Sequence, residues 1–207
     1  MIKTNRAIIA ISGNIGAGKT TVVNGLVKVS NNLLKPCFEP VDDNPYMEDF
    51  YKDTKKYSFP TQVWFLVSRY KLYKKVVATN DYVIIDRHLL EDWIFARTLW
   101  KRGDMTTRDY NNYLNLLKVL NPPSPDVVIY LDVPVKELVN RINKRDRSFE
   151  QKISQTYLAD LEKEYLLWLR FIAKKYPQTK IVKVPWGEME LNGESIKRIY
   201  KKVVSCF

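Results

Sequence analysis

The stretch AIIAISGNIGAGKTT, residues 7–21, decides the fold. A short aliphatic run enters a turn carrying Gly13, Gly16 and Gly18. TTVVNGLVKVSNNLL follows, with apolar residues at helical spacing. The turn itself, Gly13-Asn14-Ile15-Gly16-Ala17-Gly18-Lys19-Thr20 and then Thr21, has the spacing G-x-x-x-x-G-K-[ST] in a strand–loop–helix context. Glycines let backbone N–H groups turn inward around an anion, and the N-terminus of the next helix adds partial positive charge. Lys19 can reach outer phosphates, and the Thr20 hydroxyl can ligate Mg²⁺. A chance glycine-rich turn would have neither the strand before it nor the helix after it. Residues 13–21 are therefore expected to hold the phosphates of a nucleoside triphosphate such as ATP.

Working outward, four further runs look like buried strands: PCFEP (36–40), YVIID (82–86), VVIYLD (127–132) and KIVKVP (180–185). Each is apolar over most of its length rather than alternating, and helical patterns separate them. That is the look of a five-stranded parallel sheet flanked by helices, an α/β fold. Ligands in such sheets sit beyond the carboxyl ends of the strands. Those ends read Ser12-Gly13, Glu39-Pro40, Asp86-Arg87, Asp132 and Pro185-Trp186. No repeat or linker divides the chain, so residues 1–207 are expected to form one domain.

Composition narrows the class. At 45% hydrophobic and 28% charged residues the chain reads as an ordinary globular protein, with no apolar run of membrane-span length. The apolar stretch near the start is short and runs directly into the glycine turn, so it reads as a strand rather than a signal peptide. Cys37 and Cys206 have no metal-ligand spacing and are expected as free thiols in a reducing, cytoplasmic setting. The net charge of +11 raises nucleic-acid binding. However, lysines fall between apolar residues in RYKLYKKVV and ESIKRIYKKVV, the pattern of a solvated helix face, and no block of like charge forms a binding arm.

Three features carry candidate chemistry, and a fourth only looks as if it does. Asp86 ends a strand next to Arg87 and is preferred over Asp132 as the carboxylate that holds Mg²⁺ with Thr20. Glu39 could accept the proton of an attacking hydroxyl, or be a solvated loop acid. Arg141 and Arg145 share a helix face, and Arg147 extends the series. Together they could clamp a transferring phosphoryl group, or be a basic helix end facing its own dipole. Asn143-Lys144-Arg145-Asp146 matches a guanine-reading tetrapeptide, but it lies in a helical pattern and the chain has no Asp-x-x-Gly, so the match is treated as coincidence.

Taken in order, GNIGAGKTT, EPVDDNPYMEDFY, FPTQVWFLVSRY, IDRHLLED and RINKRDRSFE resemble the deoxynucleoside kinases, from about residue 7 to 185. Those enzymes transfer the γ-phosphate of a triphosphate to the 5′-hydroxyl of a deoxynucleoside. The resemblance implies a P-loop kinase fold with a short arginine-rich lid at about 144–151, and Lys19, Arg87, Arg141, Arg145 and Arg147 around the phosphates. It implies Glu39 as general base and Asp86 near Mg²⁺. It places Tyr51 and Glu150 on the sugar 3′-hydroxyl, Gln62 on the base edge, and Phe95 against the base. Arg69 with Asp92, or its neighbour Glu91, would lie beneath the base. EP followed by DNPY, and the short length, look most like the bacterial deoxyadenosine and deoxyguanosine kinases. The departures are KRDRS in the lid, where members usually have glycine before the last arginine, and His88 in place of a common serine. The resemblance also implies a homodimer, inhibition by deoxynucleoside triphosphate end products, and a preference for deoxyadenosine, deoxyguanosine or deoxycytidine over thymidine. The competing readings are a thymidylate-kinase-like monophosphate kinase and a nucleic-acid-stimulated ATPase.

Overall fold

The computed structural model describes residues 6–38, 41, 43–79, 81–145, 147, 150, 153–187 and 192–207. Within them β1 (Ala7–Ser12), β2 (Leu34–Cys37), β3 (Tyr82–Asp86), β4 (Val127–Asp132) and β5 (Lys180–Pro185) form one parallel sheet in the order β2-β3-β1-β4-β5. The chain leaves β1 for the far edge, returns beside β1 as β3, and then crosses to its other side as β4. That reversal puts the topological switch point at the carboxyl end of β1, where the glycine turn begins.

Strand geometry alternates side chains between the faces. Ile9 and Ile11 of β1 pack with Val22, Val23 and Leu26 of α1 (Lys19–Val29) and with Ile196, Ile199 and Val203 of α8 (Gly193–Val204). Ala10 packs on the opposite face with Ile94 and Phe95 of α4 (Asp92–Lys101) and with Leu161, Tyr165 and Trp168 of α7 (Gln155–Lys175). β4 splits likewise, Ile129 and Leu131 to the first face, Val128 and Tyr130 to the second. Each such fully buried aliphatic side chain contributes roughly 1.5–3 kcal/mol.

Beyond α4 lie α3 (Thr54–Val77) and α5 (Thr107–Leu120), packed on it through Leu66, Leu99 and Tyr113. The Asp53 carboxylate caps α3 by accepting from Lys56 N–H at 3.2 Å. α2 (Met47–Lys52) precedes it, and α6 (Val135–Arg145) follows β4.

Two expectations need correcting. The second strand lies at 34–37 rather than 36–40, because its parallel register runs from Leu34 opposite Tyr82 to Cys37 opposite Ile85 and ends there. β2 and β5 are edge strands with several exposed residues, so only the inner three are covered throughout. The lysines of α3 and α8 do lie on solvent-facing surfaces, as Lys71, Lys74, Lys75, Lys197 and Lys201 show.

Candidate active site

The turn after β1 is built for an anion. Gly16 has φ +78°, and a Cβ there would stand 2.8 Å from Ile142 Cγ1 on α6, so only glycine allows this approach. Asn14 anchors the loop from behind. Its amide donates to Leu158 O on α7 at 2.9 Å, while its Oδ1 accepts from Ile15 N–H at 2.8 Å. Gly16, Gly18, Lys19, Thr20 and Thr21 line a cavity with Asp86, Arg141, Arg145 and Arg147. Among the described residues, four cationic side chains face one carboxylate there, which suits a polyphosphate. Of the remaining loop residues, Ala17 is buried, Ile15 faces the adjoining cavity, and Gly13 offers its carbonyl to Lys19 Nζ at 3.2 Å.

Thr20 Oγ1 donates to Asp86 Oδ2 at 2.6 Å, and Asp86 Oδ1 is buried with no hydrogen-bond partner among the described residues. A hydroxyl and a carboxylate with spare acceptor capacity, next to a polyphosphate cavity, fit the hard oxygen donors that Mg²⁺ takes. The rival Asp132 is instead paired with Lys183 of β5 at 2.9 Å.

The three arginines expected around the phosphates are tethered rather than loose. Arg141 pairs with Glu137 at 2.8 Å and donates to Ala17 O and Trp186 O at 3.3 and 3.2 Å, which fixes it against the loop. Arg145 bonds Glu150, and Arg147 lies 3.5 Å from the same carboxylate. Asn143 and Lys144 lie on exposed α6 surface, and Asp146 falls outside the described residues.

A second cavity adjoins the first through Gly16, Lys19, Val41, Arg145 and Arg147. Gln62 and Arg69 of α3 line it, as do Tyr51, Phe95, Arg87 and Glu150. Asn44 ties the preceding segment to α3, its Oδ1 accepting from Tyr46 N–H at 3.0 Å and its amide reaching Thr61 O at 3.5 Å. Arg69 forms a buried ion pair with Asp92, both almost fully enclosed. Glu91, the alternative partner, turns the other way to Arg87 at 3.3 Å. Burial pushes the Glu91 carboxyl up, and the Arg87 guanidinium pulls it back. Phe95 carries the Arg87 guanidinium 4.5 Å from its ring centroid. Arg87 sits at φ +67°, a left-handed conformation that costs a non-glycine residue free energy and concentrates at functional sites. Glu39, the candidate base, lies outside the described residues.

Comparison with known proteins decides the family. The sequence profile described as "Deoxynucleoside kinase" matches residues 9–207. The chain belongs to the deoxynucleoside kinase family. It is 38% identical over 200 residues to a deoxyadenosine kinase of Dictyostelium discoideum, covering 94% of this chain and 80% of that one. It is 36% identical over 168 residues to a deoxyadenosine/deoxycytidine kinase of Bacillus subtilis (strain 168), covering 79% and 76%. Among solved structures, a deoxyadenosine kinase from M. mycoides with the products dCMP and a flexible dCDP bound superposes with a TM-score of 0.85 at 34% identity, over 96% of this chain and 99% of that one.

As a deoxynucleoside kinase the chain is an ATP-dependent phosphotransferase with the P-loop α/β fold expected from the glycine turn. Sequence reasoning missed three parts of the site. Met47, Phe50, Phe65 and Tyr157 wall the second cavity, but an apolar residue in a helix gives no sign of facing a ligand rather than the core. It also gave Tyr165 and Ser12 no role, although both hydroxyls reach Glu91, at 3.0 and 2.5 Å. A tyrosine within a helical apolar stripe reads as packing, and only its contacts reveal the hydroxyl's task.

Proposed function

We propose that this kinase phosphorylates the 5′-hydroxyl of deoxyadenosine, deoxyguanosine or deoxycytidine, with thymidine a poor substrate. The observation that carries the reading is the pair of joined cavities, one cationic around the phosphate loop, the other walled by apolar residues with Gln62 and with Arg69, which Asp92 pairs from behind. The donor triphosphate occupies the first and the nucleoside the second, so the reacting atoms meet where the cavities join, beside Gly16, Lys19, Arg145 and Arg147 among the shared residues. Both arginines of the nucleoside cavity that come from α3 and the β3 end, Arg69 and Arg87, already face buried carboxylates. That leaves them committed, and argues for a neutral acceptor rather than a nucleoside monophosphate.

In this reading Glu39 takes the proton of the 5′-hydroxyl as that oxygen bonds to the γ-phosphorus and the bond to the β-phosphate oxygen breaks. Arg87 orients the acceptor end of the reaction. Lys19, Arg141, Arg145 and Arg147 stabilise charge on the transferring group. Thr20 and Asp86 would hold Mg²⁺, which would supply further charge neutralisation on the triphosphate. Tyr51 and Glu150 hold the sugar, and Phe95 flanks the base. Joined cavities also support inhibition by a deoxynucleoside triphosphate, whose nucleoside would take the acceptor cavity and whose phosphates would run back into the donor one. Two free thiols, with no helix among the described residues long and apolar enough to cross a membrane, suit a cytoplasmic enzyme.

Turnover of ATP measured in parallel with deoxyadenosine, dAMP and single-stranded DNA tests the assignment. Only deoxyadenosine should accelerate it. Glu39→Gln should lower kcat about 100-fold or more with little change in nucleoside affinity. Stimulation by dAMP or DNA alone would reverse the reading.

A further inference from the structure

Directly behind the phosphate loop, Ser12, Glu91 and Tyr165 form a sealed polar cluster around Arg87. All four side chains are 3% exposed or less. Glu91 Oε1 accepts from Arg87 Nη1 at 3.3 Å and lies 3.0 Å from the Tyr165 hydroxyl. Its Oε2 accepts from the Ser12 hydroxyl at 2.5 Å and from His88 N–H at 3.3 Å. The Tyr165 oxygen accepts from Arg87 and lies 2.8 Å from Gly13 O in the phosphate loop. The same carbonyl is 3.2 Å from Lys19 Nζ, which also reaches Asn14 O at 3.1 Å.

Counting hydrogens exposes a conflict. A phenol has one hydrogen to donate, and two acceptors, Gly13 O and Glu91 Oε1, stand within reach of it. While Lys19 rests on Gly13 O, that carbonyl already has a donor, and the Tyr165 hydrogen can stay on Glu91. Binding of a triphosphate draws Lys19 toward the outer phosphates. Gly13 O then needs another donor, because a buried carbonyl without one costs about 1–3 kcal/mol. Tyr165 is placed to supply it. Its hydrogen turns from Glu91 to Gly13, and Oε1 is left to Arg87, whose ion pair strengthens as the competing donor leaves. Arg87 is itself in a left-handed backbone conformation, a state that persists only where its surroundings over-determine it.

We propose that Tyr165 and Glu91 are positioning residues which couple the phosphate loop to Arg87, so that loading the donor fixes the arginine facing the acceptor. The proposal rests on the reading of Arg87 as part of the reacting site. It concerns residues on three separate elements, the β1 end, the turn before α4, and α7, which the sheet topology brings to one point.

Tyr165→Phe removes the hydroxyl and keeps the ring in its packing against Phe95, Tyr130 and Trp168. With ATP and deoxyadenosine it should lower kcat about 10- to 100-fold, the scale of a misplaced reacting group, and raise nucleoside KM by no more than the factor by which the donor tightens the nucleoside on the wild type. On an Arg87→Lys background the same substitution should cost little further, because it acts through the arginine. In direct binding, a non-hydrolysable ATP analogue should tighten deoxyadenosine on the wild-type enzyme and lose that effect in Tyr165→Phe. Glu91→Gln is the second arm and should reproduce the kcat loss. A Tyr165→Phe enzyme with wild-type kcat overturns the proposal. Equal losses on wild-type and Arg87→Lys backgrounds also overturn it, since the hydroxyl would then act by general stability. Near-normal kcat in Arg87→Lys alone would remove the underlying reading of Arg87, an outcome visible before the tyrosine arm is considered.

Discussion

His88 shows how one buried ring carries both a structural and a pH-dependent consequence. Its Nδ1 accepts from Leu90 N–H at 3.2 Å, capping the short turn that leads to Glu91, and its ring meets Tyr73 edge-on at 5.3 Å. Complete burial disfavours the charged imidazolium and pulls its pKa down to about 3. The folded protein therefore stays unprotonated there while the unfolded chain takes up a proton below the ordinary value of 6.5. More protons on the unfolded state means that stability falls as pH falls, from 6.5 toward about 3, by up to about 1.4 kcal/mol per pH unit. Above 6.5 both states are neutral and the effect vanishes. His88→Ser can keep the cap, since a serine oxygen accepts the same N–H, but it removes the titration. Urea melts at pH 7, 6 and 5 should show a shallower pH slope for the variant. Parallel slopes would mean that other groups control the acid limb.

Elements rather than single residues set the second cavity, the one proposed for the nucleoside. Gln62 and Arg69 stand two helical turns apart on α3, and Asp92 opens α4, so the ion pair locks two helices, with Arg69 forming the polar floor of the cavity and Asp92 buried behind it. A purine N7 or exocyclic group, or the amino group of cytosine, can hydrogen-bond to such a floor. The thymine 5-methyl would crowd it and leave polar groups unpaired, at about 1–3 kcal/mol each. Arg69→Met combined with Asp92→Ala should raise thymidine kcat/KM and lower that of the purine. Removing both partners together avoids the uncompensated buried charge that either single change would leave. Best activity on thymidine in the unmodified enzyme would refute this placement. On α6, Arg145→Ala should reduce kcat more than it raises nucleoside KM, because the arginine faces charge that develops in transfer. A change confined to nucleoside KM would move Arg145 to the acceptor side. The strands, the glycine turn and the arginine series were legible because each is local: a hydrophobic run, a spacing, a helix face. The second strand was misread because PCFEP looks extended, whereas its bounds come from pairing with β3, a long-range register. The partners of Glu91 were hidden for the same reason, as Ser12 and Tyr165 lie 79 and 74 residues away.

At the scale of the whole molecule, the sheet gathers the chemistry at one edge and leaves the outer surface of α4 and α7 unexplained by catalysis. Phe171 and Leu167, one turn apart on α7, are 44% and 39% exposed, which is a large apolar exposure for two neighbouring residues. Phe171 lies 6.1 Å from Trp93 of α4, whose ring also carries the Arg97 guanidinium at 4.9 Å. Arg97 and Lys101 bind Glu164 at 3.2 and 2.5 Å, so the two helices present one rigid apolar face bordered by charge. A central aromatic cluster with a polar rim is the arrangement that dominates binding energy in protein interfaces. We propose that the expected homodimer forms here, two copies meeting through α4 and α7. An aspartate at position 171 would bury an unpaired charge in each half of a symmetric interface. Phe171→Asp should therefore weaken association at least about 100-fold, enough to make a micromolar sample largely monomeric. Sedimentation equilibrium on wild type and variant reads this directly, with circular dichroism to confirm that the variant is folded. A wild-type protein that sediments as a monomer at tens of micromolar would remove the dimer, and a variant that stays dimeric would move the interface elsewhere.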